Sequence, residues 1–291
     1  MLLEAYAKIN WSLDITGVRT DGYHLMDMLM QPVSLCDEIT LSPSSSLCIT
    51  TGGWPPARAD ESNLAYRAAL ALKNATGYSL GTQIHLQKKI PIGAGMGGGS
   101  TDAAAVLVGL NKLWKTGLSD VELEKVGLTL GADVPFFIRG GLARIRGIGE
   151  ELERHDIQHN YWLTVIQPCP GLSTAQVFRL WRQSPAIVHP DTGAALCSLK
   201  SGKLDSFCKQ IGNVLQPVSE KLRPEIVQAC VSLENEGAIK ALMTGSGSAV
   251  FGVFSSSATA RKAYQNLQSR YRTIFLCHTQ QDSIRITEEQ E

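Results

Sequence analysis

Five glycines in seven positions, at 93, 95, 97, 98 and 99, constrain this chain more than any other feature of it. Glycine alone adopts positive φ without steric cost and lets the backbone approach a ligand closely. A tight turn needs one or two such residues, not five. The run Pro91-Ile92-Gly93-Ala94-Gly95-Met96-Gly97-Gly98-Gly99-Ser100-Thr101-Asp102 follows an alternating, strand-like segment over 82–90 and empties into a helical pattern over about 100–114. A helix start of this kind offers free N–H groups and the positive end of the helix dipole, which together attract anions. Phosphate is the ligand that such a loop favours.

Two phosphate-loop types compete for the run. Gly93, Gly95 and Gly98 satisfy the dinucleotide spacing G-x-G-x-x-G, and Asp120 stands at about the distance of a ribose carboxylate. Asp120, however, falls in the first turn of a helix that Ser119 and Glu122 cap, and about ninety residues precede the loop. Residues 93–100 also reproduce the spacing of a nucleotide P-loop, with Gly99 in the place of its lysine. The cation that phosphoryl transfer needs must then come from Lys8, Lys88 or Lys89. Lys88 shares parity with apolar Ile84, Leu86 and Ile90, so it either reaches out to water or meets a nucleotide. Lys89 shares parity with His85 and Gln87, the solvated face.

Composition narrows the class. A length of 291 residues, 44% of them hydrophobic, suits one large or two ordinary globular domains. Lys plus Arg equals Asp plus Glu at 27 each, so the basic surplus that neutralises a nucleic-acid backbone is missing. Glu4 lies where a signal peptide is basic, and no apolar run approaches the roughly 20 residues of a membrane span. Seven scattered cysteines show no zinc spacing, which fits a reduced, cytoplasmic setting and leaves any metal ligand unidentified.

The expected elements alternate in type. Strand patterns cover 3–16, 82–90, 161–166, 237–243, 249–254 and 273–278. Helical patterns cover 62–73, 100–114, 119–130, 174–182, 203–215, 219–235 and 258–270, and turn chemistry marks 42–60 as a loop. The tail over 288–291 reads as frayed. The mixture predicts a two-domain α+β protein divided near 155–160.

Four segments in order carry a family resemblance. The loop at 91–101 resembles the ATP loop of the GHMP kinase superfamily, with Met96 where leucine is usual, a volume-conserving exchange. Ala7-Lys8-Ile9-Asn10-Trp11-Ser12-Leu13, followed by Gly17, Arg19 and Asp21-Gly22-Tyr23-His24, resembles the start of the branch that acts on a cytidine-diphosphate-linked methylerythritol. Gly131-Ala132-Asp133-Val134-Pro135-Phe136-Phe137 and Leu242-Met243-Thr244-Gly245-Ser246-Gly247-Ser248 are similar to that branch's catalytic segment and C-terminal glycine loop, with Thr244 where serine is commoner.

The resemblance implies an α+β, two-domain GHMP kinase fold. An N-terminal ribosomal-protein-S5-like, ATP-binding domain would occupy 1–158, a C-terminal ferredoxin-like α/β sandwich 159–291, and the active site the cleft between them. It implies ATP-dependent phosphorylation of the 2-hydroxyl of that substrate, in the non-mevalonate route to isoprenoids, with ATP and Mg²⁺ as cofactors. Asp133 would act as general base beside Lys8, although residue by residue they read as a turn aspartate and a surface lysine. Asn63, Leu64, Lys88, Pro91, Ile92, Gly93, Ala94, Gly95, Met96, Gly97, Gly98, Gly99, Ser100 and Thr101 would hold the nucleotide. Tyr23, His24, Phe178, Thr174 and Asn10 would hold the acceptor, the aromatic rings facing its pyrimidine. Ser62 replaces an aspartate common before Asn63. Packed roles for Tyr23, His24 and Phe178 stay open, as do a sister GHMP kinase for mevalonate or homoserine, a dinucleotide oxidoreductase and a non-catalytic nucleotide or RNA module.

Overall fold

Strand β1 (Leu2–Val18) is buried along almost its whole length, and the reason lies in its ladder with β2 (His24–Ser44). Shifts of register between Tyr6 and Lys8, and again between Asn10 and Ser12, interrupt that antiparallel pairing. Irregularities of this kind re-aim side chains. Leu3 and Ala5 enter one apolar cluster, Ala7, Ile9 and Trp11 a second, and Leu13 and Ile15 return to the first. Between the two shifts, the even-numbered Lys8 and Asn10 are turned to the wall of a cavity.

The structure is a computed structural model that describes residues 1–54, 56–157, 159–183 and 188–288. After β2 come β3 (Cys48–Gly53), α1 (Leu64–Thr76), β4 (Gly81–Lys88), α2 (Gly98–Leu113), α3 (Asp120–Leu128), α4 (Val134–Arg139), β5 (Leu142–Gly147) and β6 (Glu151–His155). The second half holds β7 (Trp162–Ile166), α5 (Thr174–Trp181), α6 (Thr192–Lys200), α7 (Leu204–Gln210), α8 (Gln216–Leu222) and α9 (Glu225–Asn235). It closes with β8 (Lys240–Met243), β9 (Val250–Phe254), α10 (Ser257–Leu267), β10 (Ile274–His278) and β11 (Ile284–Glu288).

Two sheets result. The first has the order β11-β1-β2-β4-β3, with β5 on β2 and β6 on β5; the second runs β10-β7-β9-β8. Helix α2 lies on β1 and β2 with α1, α3 and α4 against it, which is why its run from Ala103 to Leu107 is wholly buried. Helices α9 and α10 cover the second sheet.

Several sequence expectations change. The loop expected over 42–60 instead contains the end of β2 and all of β3, which pairs parallel to β4. The long β2 and strands β5, β6 and β11 were not among the expected strands, although β11 alternates Ile284 and Ile286 with Arg285 and Thr287 over its short length. The helix expected over 203–215 ends at Gln210, and that over 219–235 breaks at Arg223-Pro224, because proline lacks the N–H a continuous helix needs. Strand β11 carries the second half of the chain back to β1 of the first sheet. Of the expected boundary segment, residue 158 lies outside the described residues, as do 289–291 of the expected frayed tail.

Candidate active site

Fixed anchors alternate with free turns in the glycine loop. Ala94 and Met96 are buried, and their carbonyls accept from Ala249 N–H (3.1 Å) and Lys8 N–H (2.9 Å). Gly93, Gly95 and Gly97 between them adopt φ of 68°, 80° and 74°. At Gly95 a Cβ would stand 2.3 Å from the Thr244 carbonyl oxygen, so the first glycine loop and the C-terminal one pack backbone to backbone. Gly97 caps α2, and no side chain bonds into that cap. The first N–H groups of α2 are therefore left for a ligand, and anions are the natural one.

One cavity of about 1010 Å³ brings most of the predicted residues together. Lys8, Asn10, Tyr23, His24, Asn63, Leu64, Lys88, Pro91, Ile92, Ser100, Asp133, Thr174 and Phe178 line it, with every residue from Gly93 to Gly99. Thr101 does not: it is fully buried, and its Oγ1 has no partner among the described residues.

Lys8 is 4% exposed, and its Nζ lies 4.0 Å from Asp133 Oδ2 and donates to Asn10 Oδ1 at 2.5 Å. Burial lowers its pKa below the usual lysine value, and the Asp133 charge opposes that effect. Asp133 was expected on a loop. It is the N-cap of α4, with Pro135 in the first turn, yet its side chain makes no capping bond. Its carboxylate is thus held by the backbone and left open to a proton. Asn10 is a junction: its Oδ1 also accepts from Gly245 N–H at 3.1 Å, and its own N–H donates to Thr244 Oγ1 at 3.0 Å.

Lys88 is buried on the inward face rather than reaching out to water, and its ammonium is held by Asp37 and by Asp102, the latter at 2.7 Å. These two carboxylates hold it beneath the loop, while Lys88 also lines the cavity. Asp37 also accepts from the N–H groups of Lys89 (2.6 Å) and Ile90 (2.8 Å), fixing the chain just before the loop. Burial pushes the Asp102 carboxyl up to about 8 against the lowering effect of Lys88, and Asp37 adds to the rise. Lys89 pairs with Glu38 at the surface.

Asn63 has a structural task besides its place in the cavity. Its Oδ1 accepts from Ala65 N–H at 2.9 Å and caps α1, while its Nδ2 donates to the Arg58 carbonyl at 2.7 Å. At the far end of β1, the hairpin tip presents Tyr23, 60% exposed, and His24, whose ring lies 4.8 Å from Phe178. Thr174 Oγ1 is 3.0 Å from Ser246 Oγ, joining α5 to the C-terminal glycine loop. Sequence reasoning missed Arg58, Ser246 and Arg182. Ser246 sat within a loop that had been noticed, whereas Arg58, between Ala57 and Ala59, and Arg182, after Leu180-Trp181, belong to no motif that marks them.

Comparison with known proteins fixes the class. The "GHMP kinases N terminal domain" model matches residues 63–141 and the "GHMP kinases C terminal" model residues 195–273. A homoserine kinase from Cytophaga hutchinsonii shares the fold, with a TM-score of 0.76 at 18% identity over 98% of this chain and 96% of that one. The chain is a GHMP kinase, an enzyme that uses ATP. Finer relatives are close in sequence. The 4-diphosphocytidyl-2-C-methyl-D-erythritol kinase of Moorella thermoacetica is 40% identical over 96% of this chain and 99% of its own. That of Alkaliphilus metalliredigens is 40% identical over 94% of each. A crystal structure of 4-(cytidine 5'-diphospho)-2C-methyl-D-erythritol kinase superposes with a TM-score of 0.82 at 34% identity, covering 96% of this chain and 99% of that one. Within the superfamily, the chain belongs to the 4-diphosphocytidyl-2-C-methyl-D-erythritol kinase family.

Proposed function

We propose that the protein transfers the γ-phosphoryl group of ATP to the 2-hydroxyl of 4-diphosphocytidyl-2-C-methyl-D-erythritol, yielding the 2-phosphate and ADP for isoprenoid synthesis. The observation that carries this reading is a single cavity holding three parts: the glycine loop, the Lys8–Asp133 pair beside it, and the His24–Phe178 aromatic group at the far end of β1. A small acid such as mevalonate or homoserine has no use for that third part.

In the proposed step, Asp133 accepts the proton of the substrate hydroxyl as its oxygen bonds to the γ-phosphorus. The bond from that phosphorus to the bridging oxygen breaks, and ADP leaves with the electron pair. Lys8 keeps Asp133 ionised and offsets charge on the moving group. Asn10 holds the Lys8 ammonium in place and ties it to the C-terminal glycine loop. The rings of Tyr23, His24 and Phe178 orient the pyrimidine.

Among the described residues, no group of three or more His, Cys, Asp or Glu forms a cluster that would hold a metal by itself. Such a site fits Mg²⁺ carried in by the nucleotide phosphates, since this ion is commonly held by one or two protein oxygens plus phosphate. Ser100, at the start of α2 and on the cavity wall, is the hydroxyl we assign to it. Bound Mg²⁺ would neutralise phosphate charge during transfer.

We read residues 1–158 as the nucleotide-binding unit and 159–291 as the unit completing the site, with β11 returned to the first sheet. We assign the enzyme to the cytoplasm. The seven cysteines are unpaired, and no described helix is long and apolar enough to cross a membrane.

The test is ADP release from Mg-ATP with four acceptors: the cytidine-diphosphate methylerythritol, mevalonate, homoserine and galactose. Turnover confined to the first supports the reading. Turnover with another acceptor instead overturns the substrate assignment.

A further inference from the structure

One interaction at the rim of the cavity, where His24 lines it, joins the two halves of the chain. Arg182, the C-cap residue of α5, places Nε 3.0 Å from His24 Nε2 and donates from its terminal nitrogen to the Gly22 carbonyl at 2.5 Å. One guanidinium thus grips both the tip of the β1–β2 hairpin and the ring that follows it. Phe178 at 4.8 Å and Trp181 at 5.8 Å, from the same helix, pack the imidazole on its other sides.

The chemistry of that contact is restrictive. Arginine has donors and no acceptor, so a guanidinium N–H can bond to Nε2 only when Nε2 carries a lone pair. The imidazole is then neutral, and its one proton sits on Nδ1. That nitrogen has no protein partner among the described residues, and His24 lines the cavity. Burial and the Arg182 charge both lower the His24 pKa from its usual 6.5, which agrees with a ring kept neutral. Arg182 is the one charged group that acts on it among the described residues, and Arg19, Asp21 and Tyr23 neighbour it along the hairpin. Arg19 and Asp21 are engaged with each other at 2.7 Å.

We propose that Arg182 is a positioning residue that holds His24 as the neutral Nδ1–H imidazole, and so sets a preference for cytosine over uracil in the acceptor. The proposal rests on the substrate reading above and deepens it. The pairing edge of cytosine offers an acceptor at N3, to which an N–H can donate. Uracil carries its own N–H there, and two donors facing one another repel. Without Arg182 the ring is free to move its proton to Nε2 or to turn, and the discrimination is lost.

The variants are Arg182→Met, which keeps the apolar stem, and Arg182→Lys, which keeps the charge without the planar fork. Two readouts are independent. In the free protein, ¹⁵N imidazole spectra of His24 should show the Nδ1–H tautomer in the wild type and a shift toward Nε2–H in Arg182→Met, with a smaller shift in Arg182→Lys, whose ammonium is also a donor only. An unchanged spectrum overturns the proposal. Calorimetric binding of cytidine 5′-diphosphate and uridine 5′-diphosphate forms the second arm. Arg182→Met should weaken the cytidine ligand on the order of tenfold, the worth of one well-placed hydrogen bond, and the uridine ligand far less. Equal loss for both overturns the specificity role and leaves Arg182 as a hairpin fastener. A wild type that binds neither ligand overturns the substrate reading and the specificity role together, while the tautomer spectrum still decides what Arg182 does to His24.

Discussion

Asp133 shows how a residue acquires a role from what it does not do. At an N-cap, an aspartate usually bonds back into its own helix; here the side chain makes no such bond and is 37% exposed. Asp133→Asn keeps the shape and removes the base, so kcat should fall on the order of a hundred- to ten-thousand-fold while the melting temperature stays near that of the wild type. Loss of folding with loss of activity would contradict that role. In the proposed step Lys8, with its pKa lowered by burial, would set the alkaline limit. The rate should decline at a pH below the 10.5 of an ordinary lysine, and a plateau continuing past that value would count against Lys8 as the partner. Asp102 makes a different prediction. Its folded pKa of about 8 exceeds the ordinary 3.8, so the folded state binds more protons than the unfolded one between those values. Stability from this group is therefore full below about 3.8 and is lost as pH rises toward 8. Asp102→Asn abolishes the titration. The variant's melting temperature relative to the wild type should climb between pH 5 and pH 8, and a constant difference would refute the raised value.

At the scale of elements, the glycine loop was legible because its chemistry is local. Positive φ selects glycine residue by residue, and the following helix announces itself by period. What the loop packs against was not legible, since the contact with Thr244 joins residues far apart in sequence. Gly93 and Gly95 separate these two effects. Both adopt positive φ, but a Cβ at Gly93 finds its nearest atom at 3.6 Å, whereas one at Gly95 meets the Thr244 carbonyl oxygen. Gly93→Ala should cost about 1–3 kcal/mol from backbone strain alone. Gly95→Ala should cost more and should also weaken ATP, because the two glycine loops must move apart; denaturant unfolding and nucleotide titration read the order. Lys88 follows the same division. Parity placed it inward correctly, yet only the fold could bring Asp37 and Asp102 to it. The strands that the sequence hid include β2 and β5, which sit in the first sheet through their pairing with each other and with β1 and β4.

For the molecule as a whole, Trp11 matters most. It lies on β1 of the first sheet, yet its ring is enclosed edge-on by Tyr161, Phe207 and Phe251 of the second half at 6.1, 5.1 and 5.4 Å. Its indole N–H donates to Gln31 Oε1 at 2.8 Å, which satisfies the indole and leaves the buried Gln31 Nε2 without a partner among the described residues. Trp11→Ala should cost about 3–5 kcal/mol, and heat should still unfold the wild type in one calorimetric transition, since both apolar clusters draw on both halves of the chain. Two separate transitions would show that the halves are independent. The four motifs made the site recognisable from the sequence, but the cavity that collects them arises from the register shifts in β1, which no composition foretells. That the cavity is continuous has a consequence for inhibitor chemistry. An adenosine and a cytidine tethered by a linker of suitable reach could occupy both ends of it in one binding event. Such a bisubstrate molecule would lose its translational freedom once rather than twice, and its selectivity would come from the span, which a kinase without the aromatic end does not share.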